Sequence, residues 1–461
     1  MLLREVEIRG CRADVRLAGG RVTEVGQAGT LRPLPGEEAV DGAGGALLPG
    51  LTDHHVHLFA WAAALTSVAC GPPAVRDAHA LREALATASG DAAGWVRGVG
   101  YAESVAGPLD ARALDLLHPR RPVRLQHRGG SMWMLNTAAI RLLGLDSLRD
   151  PGIERGQDGT PTGRLWRADH LLRTARTPPD LRPLAAALAR WGVTSVTDAT
   201  PALDPVATAA LAAQLEGGAL PQRVRLLGAP EETVGDRLTS GPWKIVIRDD
   251  ALPDLAGLAA EIQNVHALDR PVALHCLTME ALLLALAAFD EVGSLDGDRI
   301  EHAAVVPDWC LDRLRRHGLR VVTQPAFLAD RGEDMLSGML SEERDDLYRY
   351  GGLLRAGVPT VASSDAPYGP ADPWQVIAAA RDRTTETGRP VTPAERVPAE
   401  VALDGYLTPG HLPRSGPCTV RPGAAADLVL LDCPLRDVLR EPHADRVRMT
   451  VIDGRAVHRA R

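Results

Sequence analysis

Residues 51–57, LTDHHVH, set two histidines two positions apart in a short run of apolar and β-branched residues. Successive side chains of a strand point to opposite faces, so His55 and His57 share one face and His54 takes the other. In a closed barrel that shared face can be the interior, where both rings can grip one metal ion. His54, on the outer face, reads as a structural residue.

Downstream, similar short runs recur: VTSVTDA, QRVRLLG, WKIVIR, PVALHC, RIEHAA, RVVTQP and PTVASSD. Together with TDHHVHL they make eight strand candidates separated by helical patterns, which predicts an α/β fold, a (β/α)8 TIM-type barrel. DPVATAALAAQLEGG, LAGLAAEIQNVHAL, MEALLLALAAFDEV and PDWCLDRLRRHG carry apolar residues at three and four spacing and fit its outer helices. Residues 59–190 are too many for one crossover helix. They read as an insertion after the first strand plus the first barrel helix, with strands GWVRGVGY and PVRLQH and a helix LNTAAIRLLG of its own, expected over the barrel mouth. The two chain ends differ from this and resemble each other, with short alternating strands between polar turns. LLREVEIRG, ADVRLAGG and RVTEVGQ stand at one end, and CTVRPG, ADLVLLDC, MTVIDG and RAVH at the other. Residues 1–48 and 416–461 are therefore expected to pair into a small β-sandwich module, leaving 49–415 to the barrel.

The bulk properties of the 461-residue chain narrow the function class. A net charge of -8 and a pI near 6.0 carry no general basic footprint, which argues against nucleic acid and for a small-molecule substrate. Arg4, Glu5, Glu7, Arg9, Arg12, Asp14 and Arg16 break up any signal-peptide core, and the apolar run from Ala281 to Phe289 is about half a membrane span. Six scattered cysteines without a CxxC pair fit a reducing compartment. These features predict a cytoplasmic protein that neither enters nor spans a membrane. Whether it forms a homo-oligomer is left open.

Of the 51 basic residues, Lys244 is the single lysine. Coding bias toward arginine explains the rest, and the exception then marks a site that needs an amine able to lose its proton or be modified. Lys244 lies inside the strand WKIVI, where a bare ammonium is costly to bury. A snorkelling or ion-paired lysine is the bland alternative, but a sole lysine would fall in one chosen five-residue strand only about once in ninety. His275 ends PVALHC, His302 ends RIEH and Asp365 ends TVASSD, and polar residues at strand ends lie on the catalytic face of a barrel. Substrate-contacting candidates are His127, Trp133 and Asn136 in LQHRGGSMWMLN, and Gln324 after the seventh strand. Trp133, flanked by Met132 and Met134, could line an apolar pocket, but such a cluster is more often core, and Asn136 also reads as a helix cap before TAAIRLLG.

In strand order, PGLTDHHVH, Lys244, His275, Glu301–His302, SSD at 363–365 and the closing PGAAADLVLLD resemble the amidohydrolase superfamily. The long insertion, GGSMWMLNTAAI, GVTSVTD and SDAPYGPADPW resemble its amidohydrolase 3 branch, that of the N-substituted formamide deformylase-like hydrolases. The resemblance implies two divalent metal ions, most often zinc (Zn2+), bridged by Lys244 carboxylated on its side-chain nitrogen. His55, His57 and Asp365 would hold one ion, and His275 and His302 the other. Asp365 would also serve as general base and acid in the hydrolysis of a C–N bond of an amide, formamide or cyclic amide. Deamination or ester hydrolysis on the same barrel, and a catalytically silent binding barrel, are the competing readings. Deaminases of this superfamily typically use one metal and lack the bridging lysine, and a silent barrel would be expected to have lost ligands. The segment GYLTPGHLPRSGPCTV lacks the Ala- and Glu-rich helix that usually precedes the final motif, which leaves the last barrel helix open and does not touch the ligands.

Overall fold

Each of the eight runs becomes a strand: Leu51–Val56, Val193–Asp198, Arg223–Leu226, Trp243–Val246, Val272–Cys276, Arg299–His302, Arg320–Thr323 and Thr360–Ala362. They come from a computed structural model that describes residues 1–91, 93–172, 178–230, 235–410 and 416–460. Strands four to eight pair in parallel and in order, as do strands one to three. A short strand, Leu238–Ser240, pairs with strand three just before strand four begins. The Lys244 amide then donates to the Leu227 carbonyl at 3.0 Å and joins the two halves. On the other side Asp365 N donates to His55 O at 2.9 Å and His57 N to Ala366 O at 2.8 Å, which closes strand eight onto strand one. The first and last metal-ligand candidates are thus brought together by backbone bonds.

The outer helices form where the apolar spacing predicts them: Pro205–Glu216, Leu255–His266, Met279–Val292 and Asp308–Arg316. Three begin on a capping side chain, Asp204, Asp254 and Thr278, each accepting from a first-turn amide that has no partner within the helix. Leu258, Ile262, Leu282, Leu286, Phe289 and Leu314 pack on the outward strand residues Val272, Leu274, Ile300 and Val321. This belt fixes which strand residues face in. A helix at Ala399–Leu407 precedes the C-terminal module and takes in Gly405, Tyr406 and Leu407, the start of the segment that left the last helix open. Residues 411–415 of that segment lie outside the described residues.

The chain ends build two four-stranded sheets. One holds Leu2–Ile8, Cys11–Ala18, Arg21–Gln27 and Ala39–Asp41, the other Leu47–Pro49, Leu428–Leu431, Val447–Ile452 and Arg455–Arg459. Leu3, Val6, Val15 and Val22 of the first share a core with Leu47, Leu428, Leu430 and Met449 of the second, which makes the sandwich. CTVRPG is not a strand. Pro422 offers no amide for a ladder, and Val420 enters the core from an irregular segment.

Residues 59–179 form a separate compact unit, while the sandwich belongs with the barrel in the other. The unit is built on a six-stranded sheet in the order Ile153–Arg155, Pro161–Trp166, Met132–Leu135, Val123–His127, Val96–Tyr101 and Val68–Ala69. Among the described residues no helix is long and apolar enough to cross a membrane.

Candidate metal centre

Alternation along Leu51–Val56 resolves the three consecutive polar residues Asp53, His54 and His55. His54 points outward and its Nε2 donates to the Gly405 carbonyl at 3.0 Å, the structural role expected of it. His55 points inward. Its Nδ1 is bonded to the carboxylate of Glu301, and its Nε2 lies 3.4 Å from Oδ1 of Asp365. His57 Nε2 lies 3.4 Å from the same oxygen, while its Nδ1 meets the Thr200 hydroxyl at 3.2 Å. Asp198 holds that corner, accepting from Leu58 N at 2.8 Å and Thr200 N at 2.9 Å. Beneath it, Oδ1 of buried Asp53 accepts from His55 N at 3.2 Å and Ser364 N at 3.3 Å, bridging strands one and eight.

His302 closes the cluster from strand six. Its Nδ1 donates to Oε1 of Gln324 at 2.8 Å, and the Gln324 amide nitrogen is spent on Ser363 Oγ and Val322 O. Nε2 of His302 is thereby left with its lone pair directed away from that bond. One ligand atom each from His55, His302 and Asp365 lies within 4.8 Å of the others, all three residues buried. The His275 ring is 4.5 Å from that of His302, and His57 is 5.4 Å from His55, centroid to centroid. His302 and Asp365 both adopt left-handed backbone, φ 70° and 55°, a conformation that costs a non-glycine residue about 1–3 kcal/mol and persists where the surroundings enforce it. Both strands turn at the residue that reaches into the cluster.

Lys244 is 5% exposed, and its Nζ has no hydrogen-bond partner. Burial holds the amine below the ordinary lysine range, against the pull of Glu301 and Asp365. Burial, reinforced by Lys244, lowers His55 to about 3, so its ring is neutral and can donate a lone pair. Burial alone would raise Asp365, but His55, His57 and His302 outweigh it and keep the carboxyl ionised.

The structure therefore gathers His55, His57, His302 and Asp365, with His275 beside His302 and Lys244 within electrostatic reach of Asp365. The tightest triad draws on both halves of the ligand partition that the resemblance implied.

The substrate-contacting candidates fare differently. Gln324 is fully buried, its oxygen bonded to the His302 ring and its nitrogen to Ser363 and Val322. Asn136 is the N-cap of Thr137–Leu143. It accepts from Val123 N and Ala139 N and donates to His118 O and Arg121 O, which leaves no group for a ligand. Trp133 is core of the insertion, its Nε1 donating to Asp169 at 2.8 Å. His127 is partly exposed and pairs with Glu103 at 3.1 Å. Two site residues carry little signal in the sequence. Glu301 stands out there only as the neighbour of His302, and Tyr368, whose ring lies 5.3 Å from that of His57, stands in a turn with no periodicity to mark it.

A model of the amidohydrolase family matches residues 38–458, almost the whole chain. The chain belongs to the amidohydrolase family. N-substituted formamide deformylase of Arthrobacter pascens is 27% identical over 98% of this chain and 96% of its own. Two solved structures have the same fold as this amidohydrolase. One is a metal-dependent hydrolase of Pyrococcus furiosus, 23% identical with a TM-score of 0.72 over 94% of this chain and 98% of its own. The other is from Pyrococcus horikoshii, 20% identical with a TM-score of 0.75 over 99% of each chain.

Proposed function

We propose that this amidohydrolase is a two-metal enzyme that cleaves a C–N bond of an amide, N-formyl or cyclic amide substrate. The observation that carries the reading is the buried Lys244 amine, unpartnered and held toward its neutral form on the strand between the HxH pair and the two later histidines. Carboxylation at Nζ turns this cation into a carbamate with two oxygen donors, which arginine cannot imitate and which accounts for one lysine among fifty arginines.

The donor set fits divalent metal. His55 and His302 each spend Nδ1 on a hydrogen bond and direct Nε2 to the cluster, the arrangement that fixes tautomer and ring orientation in histidine-ligated sites. His55, His57 and Asp365 would hold one ion, His275 and His302 the other, with the Lys244 carbamate shared, and imidazole with carboxylate donors suits zinc. Bound there, the ions supply Lewis-acid polarisation of the carbonyl and lower the pKa of water toward neutrality. Asp365 accepts the proton of the attacking water on its carboxylate and returns it to the departing nitrogen. The relative from Arthrobacter pascens is named for N-substituted formamides, which supports N-formyl amines as the first substrates to try.

The test pairs metal analysis with a substrate panel. Two ions per chain, a mass increase of carbon dioxide localised to Lys244, and hydrolysis of a formamide, lactam or amide are expected. One ion per chain with full activity in Lys244→Arg would overturn the two-metal reading. Failure to hydrolyse any member of a panel of amides, formamides, lactams and esters would return the chain to the binding-barrel reading.

A further inference from the structure

Glu301 and Arg299 sit two apart on strand six, so both face the barrel interior, and both are buried, 0% and 2% exposed. One carboxylate oxygen of Glu301 takes the hydrogen bond from His55 Nδ1, and the other takes one from Nε of Arg299. The same guanidinium reaches across to strand one and donates through Nη2 to the His54 carbonyl at 2.9 Å. The chain of contacts therefore grips His55 twice, at its ring and at the peptide bond that precedes it.

We infer that Glu301, anchored by Arg299, is the positioning residue that holds His55 as the Nδ1–H tautomer with Nε2 committed to the ligand cluster. A guanidinium has donors and no acceptor, so one Glu301 oxygen accepts from Arg299 and the other is left to accept from the His55 ring. A neutral imidazole that donates from Nδ1 has its lone pair on Nε2, 3.4 Å from Asp365 Oδ1. His302 gets the same orientation from a neutral carboxamide, Gln324, while His55 gets it from an ionised pair. The charged partner raises the basicity of the ligand it holds, which makes His55 the stronger donor.

The inference rests on the metal-centre reading, and its test separates the two. Zinc affinity is measured by chelator competition for the wild type, Glu301→Gln, His55→Asn and the double variant. The tautomer is read independently from nitrogen-15 shifts of histidine-labelled, metal-stripped wild type, with His55→Asn giving the assignment. Glu301→Gln is expected to weaken zinc binding about 10- to 100-fold. The same change in a His55→Asn background should do nothing further, since the effect passes through His55. The His55 ring should show a protonated Nδ1. Equal weakening by Glu301→Gln with and without His55, unchanged affinity in a folded variant, or a protonated Nε2 in the wild type would each overturn the role. If Glu301→Gln does not fold, the wild-type tautomer still decides. A wild type that binds no zinc but shows Nδ1–H would sink the metal reading and leave the positioning intact.

Discussion

Gln324 in the barrel and Asn136 in the insertion are both carboxamides with no exposed surface, and both have every polar atom bonded. Asn136 spends all four bonds on backbone, closing a helix start and the ends of two neighbouring segments. Gln324 spends one on the ring of His302, whose second nitrogen then faces Asp365 and His55. The first arrangement ends in peptide groups, and the second ends in an atom still able to bind. Burial and saturation alone do not distinguish scaffold from site. What distinguishes them is where the chain of bonds stops.

Breaking the barrel arrangement at its last atom gives the largest expected effect. Asp365→Asn keeps the side chain's shape but removes the proton acceptor, and a fall of roughly 10²–10⁴-fold in kcat is expected for a group acting as general base and acid. Steady-state kinetics on a substrate identified by the proposed panel provides the check. Activity within about tenfold of wild type would mean that another group carries the proton.

One bond further back, Gln324→Leu should lower zinc affinity by about tenfold, because His302 loses the partner that sets its tautomer. Saturating zinc should then recover most of kcat while KM stays unchanged. A raised KM with unaltered zinc affinity would instead restore Gln324 as a substrate contact, the role its position after the seventh strand suggests in the sequence.

The contrast also explains what the sequence discloses. All eight barrel strands are legible because apolar residues recur where helices cover the outer face, as at Val272, Leu274, Ile300 and Val321. The candidate ligand positions are legible because the histidines and Asp365 sit at strand ends or at the spacing of two, and Lys244 because it is the single lysine. Glu301 is less so: adjacent to a histidine ligand, it takes its meaning from Arg299 and His55, the latter on a strand 246 residues away. Met132–Leu135 shows the opposite limit. Four consecutive buried residues, MWML, have no alternation to announce a strand covered on both faces, so the run reads as an apolar cluster.

On the insertion side the effects should appear in stability and not in chemistry. Asn136→Ala removes the cap of Thr137–Leu143 and strands the His118 and Arg121 carbonyls and the Val123 amide. A loss of about 1–3 kcal/mol is expected in urea unfolding of the insertion. At temperatures where the protein stays folded, kcat/KM should match wild type. A kinetic defect without a shift in the unfolding midpoint would show that the cap description is incomplete.

Trp133→Phe should produce the smallest change. The indole packs among Trp95, Leu135, Ile140 and Leu165, with the guanidinium of Arg97 5.2 Å from its ring centroid, and its single polar atom donates to Asp169. Phenylalanine retains an aromatic face for the cation and most of the apolar area, so what disappears is one hydrogen bond and a sliver of packing, about 1 kcal/mol. Asp169 keeps a carboxylate that water can reach more readily than a buried acceptor could be, which limits the penalty. Substrate selectivity across a series of N-substituted formamides of increasing bulk supplies the sharper measurement. A core tryptophan leaves the rank order untouched. A rank order that shifts toward bulkier amines would give Trp133 the pocket-lining role and move one buried residue of the insertion from scaffold to site.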